Sequence, residues 1–236
     1  CDTLVPSRSR TISAYTDDRL RDSANSTMNF RKTIEWGRQT EKLVEITTPL
    51  APDQHMARLI LRHDGRPTLF TTITGHPGWR IVAGIASDRE YYAQAIGVQV
   101  HQLIPTLAAA LDNPVAPSVV TDAPCQQVVQ QPPDLEEIPI LRHFSNDAGP
   151  YITAGILILD DPEHGPNVCF HRLLRLDKQR FSARIVEGRG TDSALQKSPE
   201  NVPVAICLGN SIPTLLAGSM GPPAGIDELA VANALA

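Results

Sequence analysis

An α/β layer domain followed by a β-rich domain is the fold class this sequence of 236 residues predicts. Helix-periodic and strand-like segments alternate from Met28 to Leu111, which is the rhythm of helices packed on a sheet. Two prolines then interrupt the chain in DNPVAPS, residues 112–118, and mark a linker. Beyond it the segments are short, rich in β-branched residues and separated by turn-forming residues, as strands are. The implied division is a leader at 1–27, an α/β domain at 28–115 and a second domain at 116–236.

Each element has a local reason. Phe30, Ile34 and Trp36 suggest a short helix and EKLVEIT a strand; Asp53 to His63 reads as a helix with Met56, Leu59, Ile60 and His63 on one side. TLFTTIT and RIVAGI are strand-like. Ser87 and Glu90 have the spacing of a capping box in front of EYYAQAIG, and His101 to Leu111 is an apolar helix. In the second part CQQVVQ, YITAGILIL, NVCFHRLLRL, FSARIVE and VPVAICLG read as strands, and GIDELAVANALA as an amphipathic helix.

Composition excludes several functions. A net charge of -5 lacks the clustered positive field that nucleic acids or anionic membrane surfaces require. No apolar run approaches the roughly 18 residues of a membrane span. Cys1, Cys125, Cys169 and Cys207 are scattered, with no CxxC pair, and read as reduced thiols of a cytoplasmic protein. Residues 1–27 are polar and Ser/Arg-rich, without the apolar centre of a signal peptide, and read as a disordered leader ahead of Met28. The helix that ends at Ala236 without a cap reads as a chain cut short.

The chemistry concentrates in GPYITAGILILDDPEHGPNVCFHR. With a strand's period of two, Arg172 shares a face with Val168, Phe170, Leu174 and Leu176, a face expected to be buried. A guanidinium stays charged, so burial demands an anion, either a core carboxylate or a bound ligand. A hairpin folded about DKQR sets Arg172 opposite Arg184 or Ile185, and Arg189 precedes Gly190 in EGRGTD. Asp160, Asp161 and Asp177 lie in turns, where aspartates usually bond their own backbone. Three arginines around a sheet edge, with glycines allowing close approach, suit a phosphate and a carboxylate.

Other signals carry no chemistry. His55 and His63 have no third ligand nearby, Cys169 and Cys207 read as small core residues, and Gly75 and Gly78 form a turn.

GPYITAG, DDPEHGPNVCFHR, VPVAICLG and GIDELAVANAL resemble, in order and spacing, the UbiD-like family of prenylated-FMN-dependent decarboxylases, and the resemblance reaches back through PTLFTTITG and LVEITTPLAPD to about Phe30. It implies an N-terminal α/β domain followed by a split β-barrel of the flavin-reductase type, truncated at the C-terminus. It also implies prenylated FMN as cofactor, Mn2+ or Mg2+ beside its phosphate, and K+ as a candidate second ion. By the same resemblance Asn167 and Glu228 bind the metal; Phe170, His171, Arg172, Arg184, Ile185, Val186, Arg189 and Gly190 contact the cofactor; and Arg172 holds the carboxylate of an aromatic or α,β-unsaturated acid. An amide oxygen and a carboxylate suit a hard cation of this kind.

The pattern departs from the family in two places. Where many members carry a histidine shortly before the RG pair this chain has Gly188, with Glu187 as a candidate substitute. The acidic residues that complete the catalytic set, the proton donor included, belong to a C-terminal part not found here. The isolated chain is therefore expected to be inactive, and a non-catalytic flavin-binding relic is the alternative reading. An ordinary flavin reductase explains neither the N-terminal domain nor the pairing of Asn167 with Glu228. A flavin prenyltransferase is the implied cofactor supplier, and full-length relatives are expected to be homo-oligomers.

Overall fold

The computed structural model describes residues 28–198 and 200–236, so the expected leader at 1–27 lies outside it. The first helix, α1 (Phe30–Gln39), starts where the Asn29 side chain accepts the Lys32 N–H at 3.0 Å. Asp53 opens α2 (Gln54–Arg62) in the same way, accepting the His55 N–H at 2.8 Å. Such caps satisfy amides that the first helical turn leaves without partners. The box expected from Ser87 and Glu90 does not form. The Ser87 hydroxyl donates to the Gly84 carbonyl at 2.7 Å, and Asp88 caps α3 (Arg89–Ile96) by accepting the Glu90 N–H at 2.9 Å. A 3-10 turn at Val100–Gln102 then leads into α4 (Leu103–Asp112).

Three short strands pack with these helices. β1 (Val44–Ile46) pairs in parallel with β2 (Thr68–Phe70), and β2 pairs antiparallel with β3 (Ile81–Ala83). The parallel pair requires a crossover, which α2 supplies. All of β2 is buried.

The second part is built on two antiparallel sheets. One joins β4 (Tyr151–Ile152), β7 (Leu173–Arg175) and β8 (Phe181–Ala183). The other has the order β6, β5, β9, from β5 (Ile156–Asp161), β6 (Gly165–Phe170) and β9 (Val204–Cys207). Among the described residues neither sheet closes on itself. The segment expected as one strand, NVCFHRLLRL, is divided: β6 belongs to one sheet and β7 to the other, with His171 and Arg172 as the corner between them. CQQVVQ is no strand at all, because Pro124–Gln126 forms a 3-10 turn and Val128 and Val129 are 87% and 72% exposed, without a partner strand.

Helices α5 (Gly190–Lys197), α6 (Ile212–Met220) and α7 (Glu228–Ala234) complete the fold. Ala217 of α6 and Val231 and Ala232 of α7 form a core with Ala110 of α4, and Met56 and Phe70 pack with Leu141. Both clusters join the first part of the chain to the second. The linker is held as well: Val115 N–H donates to the Ala230 carbonyl at 3.0 Å, and Asn233 Nδ2 donates to the Val115 carbonyl at 3.1 Å. These contacts anchor α7, and with it Glu228.

Candidate functional site

Strand β6 presents two different faces. Val168 is buried and packs near Gly218 of α6, whereas Asn167 and Cys169 face α5. The approach of β6 to α5 is close. A methyl group on Gly190 would overlap the Asn167 amide oxygen and stand 2.8 Å from Asn167 Cγ. Gly190 opens α5, its N-cap Arg189 makes no side-chain capping bond, and Asp192 in the first turn accepts the Gly188 N–H at 2.9 Å. The partial positive charge of a helix N-terminus is therefore turned towards Asn167.

Glu228 approaches from the other side. It is 8% exposed, and one carboxylate oxygen accepts the Val168 N–H at 3.1 Å. Burial pushes its pKa above the ordinary carboxylate value, an effect that two backbone N–H groups only partly offset. Such a group is stabilised by a cation. Asp227 caps α7 by accepting the Leu229 N–H at 2.7 Å, which fixes the turn that aims Glu228 inwards.

A buried polar chain runs beside this pair. His171 Nδ1 lies 3.1 Å from the Arg184 carbonyl, and His171 Nε2 lies 2.9 Å from Thr191 Oγ1. Thr191 Oγ1 is 3.3 Å from Cys169 Sγ, and Asn167 Nδ2 donates to Cys169 Sγ at 3.5 Å. Burial pushes the Cys169 thiol up, and the negative charge of Glu228 adds to the shift. Sequence reasoning took Cys169 for a packing residue and gave Thr191 no role. The signal was present in the period of two that sets Asn167, Cys169 and His171 on one side of the chain.

The arginines stand differently from expectation. Arg172 is exposed, not buried, because β6 ends at Phe170 and the strand alternation does not continue through it. The residue that the corner buries is His171, at 9% exposure. The hairpin is as expected: Leu173 pairs with Ala183, so the same register sets Arg172 opposite Arg184. Arg184 and Arg189 are also exposed, and among the described residues none of the three guanidiniums has an ion-pair or hydrogen-bond partner. Ile185 is half-buried and Val186 is 51% exposed.

Phe170 faces elsewhere, into a cleft of about 1080 Å3 that Ile152, Leu208, Trp79 and Arg58 also line. Glu187 is exposed and lines a smaller pocket with Gly188, Asp192 and Lys197. Asp161 is not a surface turn residue: it is 3% exposed and paired with Lys197 at 3.0 Å. Among the described residues no three His, Cys, Asp or Glu side chains are grouped to hold a metal ion. An ion between Asn167 and Glu228 would thus need oxygens from a ligand and water to complete its shell. Among the same residues no helix is long and apolar enough to cross a membrane.

Comparison with known proteins places this arrangement. Residues 118–236 match the model of the 3-octaprenyl-4-hydroxybenzoate carboxy-lyase Rift-related domain, and residues 34–111 match that of the corresponding N-terminal domain. The anhydromevalonate phosphate decarboxylase of Methanosarcina mazei is 32% identical over 84% of this chain and 46% of its own length. The gallate decarboxylase of Lactiplantibacillus plantarum is 28% identical over 73% of this chain and 38% of its own. An evolved dimeric form of the UbiD-class enzyme HmfF from Pelotomaculum thermopropionicum, in complex with prFMN, superposes with a TM-score of 0.84 at 32% identity. That match covers 89% of this chain and 51% of the other, so the chain spans about half the length of these relatives or less. On both domain matches and on these identities, the chain belongs to the UbiD family.

Proposed function

We propose that this chain is the cofactor-binding part of a decarboxylase that releases CO2 from an aromatic or α,β-unsaturated carboxylic acid without oxidation. The observation that carries the reading is the N-terminus of α5, set against the Asn167 amide, with the buried Glu228 carboxylate on the neighbouring Val168 N–H. Two hard oxygen donors would hold a Mn2+ or Mg2+ ion, and the helix N-terminus beside them would take the negative charge of a phosphate. Prenylated FMN suits the site because it carries such a phosphate, and its ring system, when bound, would supply an electron sink for the carbanion that loss of CO2 leaves. The sugar-phosphate end would lie at Gly190, with the guanidiniums of Arg184 and Arg189 near it. The two antiparallel sheets would then be the walls of a split barrel, and the division at 115/116 the border of the flavin-binding domain.

The chain's own residues would bind and orient. Arg172, exposed at the corner after β6 and unpaired among the described residues, would take the substrate carboxylate in a two-point bond. Its contribution would be positioning and a preorganised positive charge, not proton transfer. Phe170 would present an apolar wall to the flavin. Returning a proton to the product needs an acid, which we assign to the length that the relatives have and this chain does not cover. The isolated chain should therefore bind without turning over. The full-length protein would be a cytoplasmic homo-oligomer, supplied by a flavin prenyltransferase.

Native mass spectrometry of the chain, co-expressed with a flavin prenyltransferase and supplied with Mn2+, tests the reading. One prenylated FMN and one Mn2+ per chain are expected. A folded chain that carries neither would overturn it.

A further inference from the structure

The polar chain from Asn167 to Arg184 has a direction. A carbonyl can only accept, so His171 Nδ1 carries the proton that bonds the Arg184 carbonyl at 3.1 Å. In the neutral ring Nε2 is then an acceptor, and the Thr191 hydroxyl donates to it at 2.9 Å. With its hydrogen so used, Thr191 Oγ1 accepts from the Cys169 thiol at 3.3 Å. The sulfur in turn accepts the Asn167 amide N–H at 3.5 Å. Each bond leaves the next group a single role. Asn167 therefore keeps its nitrogen on the sulfur side and its oxygen against Gly190.

Burial makes the order enforceable. Thr191 is 6% exposed and His171 9% exposed, so water cannot readily replace a lost partner, and a reversed amide would set its oxygen against the sulfur lone pairs. We infer that His171, Thr191 and Cys169 are positioning residues: they lock the rotamer of Asn167 so that its oxygen, not its nitrogen, is offered to a cation beside Glu228. The inference rests on the reading of Asn167 as a cation ligand. None of the three touches the cation itself. They act through the amide, as hydrogen-bond partners of metal ligands generally do.

Mn2+ titrated into the chain with excess FMN, with free Mn2+ followed by electron paramagnetic resonance, separates the two ideas. Binding in the wild type that Asn167→Ala abolishes supports the ligand reading, whereas no binding in the wild type overturns both. Thr191→Val keeps volume and removes the hydroxyl. It is expected to weaken Mn2+ binding by about tenfold or more and to change the spectrum of the bound ion, while Thr191→Ser restores both. Cys169→Ala should weaken binding in the same direction and Cys169→Ser preserve it, which keeps the test decisive if Thr191→Val folds poorly. Wild-type affinity and spectrum in folded Thr191→Val and Cys169→Ala, with Asn167→Ala still defective, would overturn the relay and leave the ligand reading standing.

Discussion

Asn167 holds its amide against Gly190 so closely that a single added methyl group would stand 2.8 Å from Asn167 Cγ. The backbone at Gly190 is not in the left-handed region, so the glycine serves close approach and not an unusual turn. Gly190→Ala is expected to displace the amide at an overpacking cost of about 1–3 kcal/mol. Retention of Mn2+ and FMN should fall with it. Thermal melting and equilibrium dialysis measure the two effects, and an alanine variant that binds both like the wild type would show that the amide is not held in place for them.

Glu228 separates two roles of one carboxylate. Glu228→Ala strands the buried Val168 N–H that the carboxylate now accepts at 3.1 Å, a loss of about 1–3 kcal/mol. Glu228→Gln retains an acceptor and removes the buried charge, so its stability without metal should match or exceed that of the wild type. Both variants should fail to bind Mn2+. Urea unfolding with and without Mn2+ reads these effects, and a glutamine variant that Mn2+ stabilises as it does the wild type would remove Glu228 from the ligand set.

Arg172 should be dispensable for folding and not for chemistry. It is exposed and has no partner among the described residues, so Arg172→Ala should change stability by less than about 0.5 kcal/mol. In a full-length protein that turns over, the same change should lower kcat/KM by at least tenfold, since a positioned charge is lost. Unchanged turnover of the acid would refute the carboxylate role.

These variants show where the sequence was legible. Helix α2 was read almost to the residue, because Asp53 caps it and Met56, Leu59 and Ile60 keep its period. The hairpin of β7 and β8 was likewise plain from DKQR. What failed was continuity: a pattern of two runs through Phe170, His171 and Arg172 whether or not the strand does, and only the tertiary fold decides that β6 and β7 join different sheets. The burial of Arg172 was lost with that break, whereas His171 keeps the alternation and is buried on the side of Asn167 and Cys169. Cys169 and Thr191 are 22 residues apart, and their meeting depends on how α5 docks on β6. No local pattern records that.

Tyr91 has a different tension. It is fully buried, stacks edge-on to Trp36 at 4.9 Å, and its hydroxyl has no hydrogen-bond partner among the described residues. Burial pushes the phenol pKa up to about 12. Tyr91→Phe removes the stranded hydroxyl and should be neutral or stabilising. Gly37→Ala should destabilise by about 1–3 kcal/mol, because its methyl group would overlap the Tyr91 hydroxyl. The double variant should recover part of that loss, and additive losses in chemical denaturation would show that the two sites do not meet.

Asp161 ties α5 to the turn between β5 and β6, and its ionisation should be visible in stability. Burial opposes the charge, but the N–H groups of Glu163 at 2.8 Å and His164 at 3.1 Å, with Ser193 and Lys197, outweigh it and hold the carboxyl well below the usual carboxylate range. A folded-state pKa depressed in this way adds stability above the unfolded value of about 3.9 and loses it as pH falls through the folded value. Asp161→Asn keeps acceptors for the two backbone N–H groups and removes the charge that faces Lys197. Its melting temperature should lie below that of the wild type by a constant margin from pH 6 to 8, a range set roughly two units above that value. The margin should narrow once the pH drops below about 4, where the unfolded wild type takes up the proton first. Parallel melting profiles down to pH 3, about one unit below the unfolded value, would mean that the Asp161 charge does not contribute to the docking of α5.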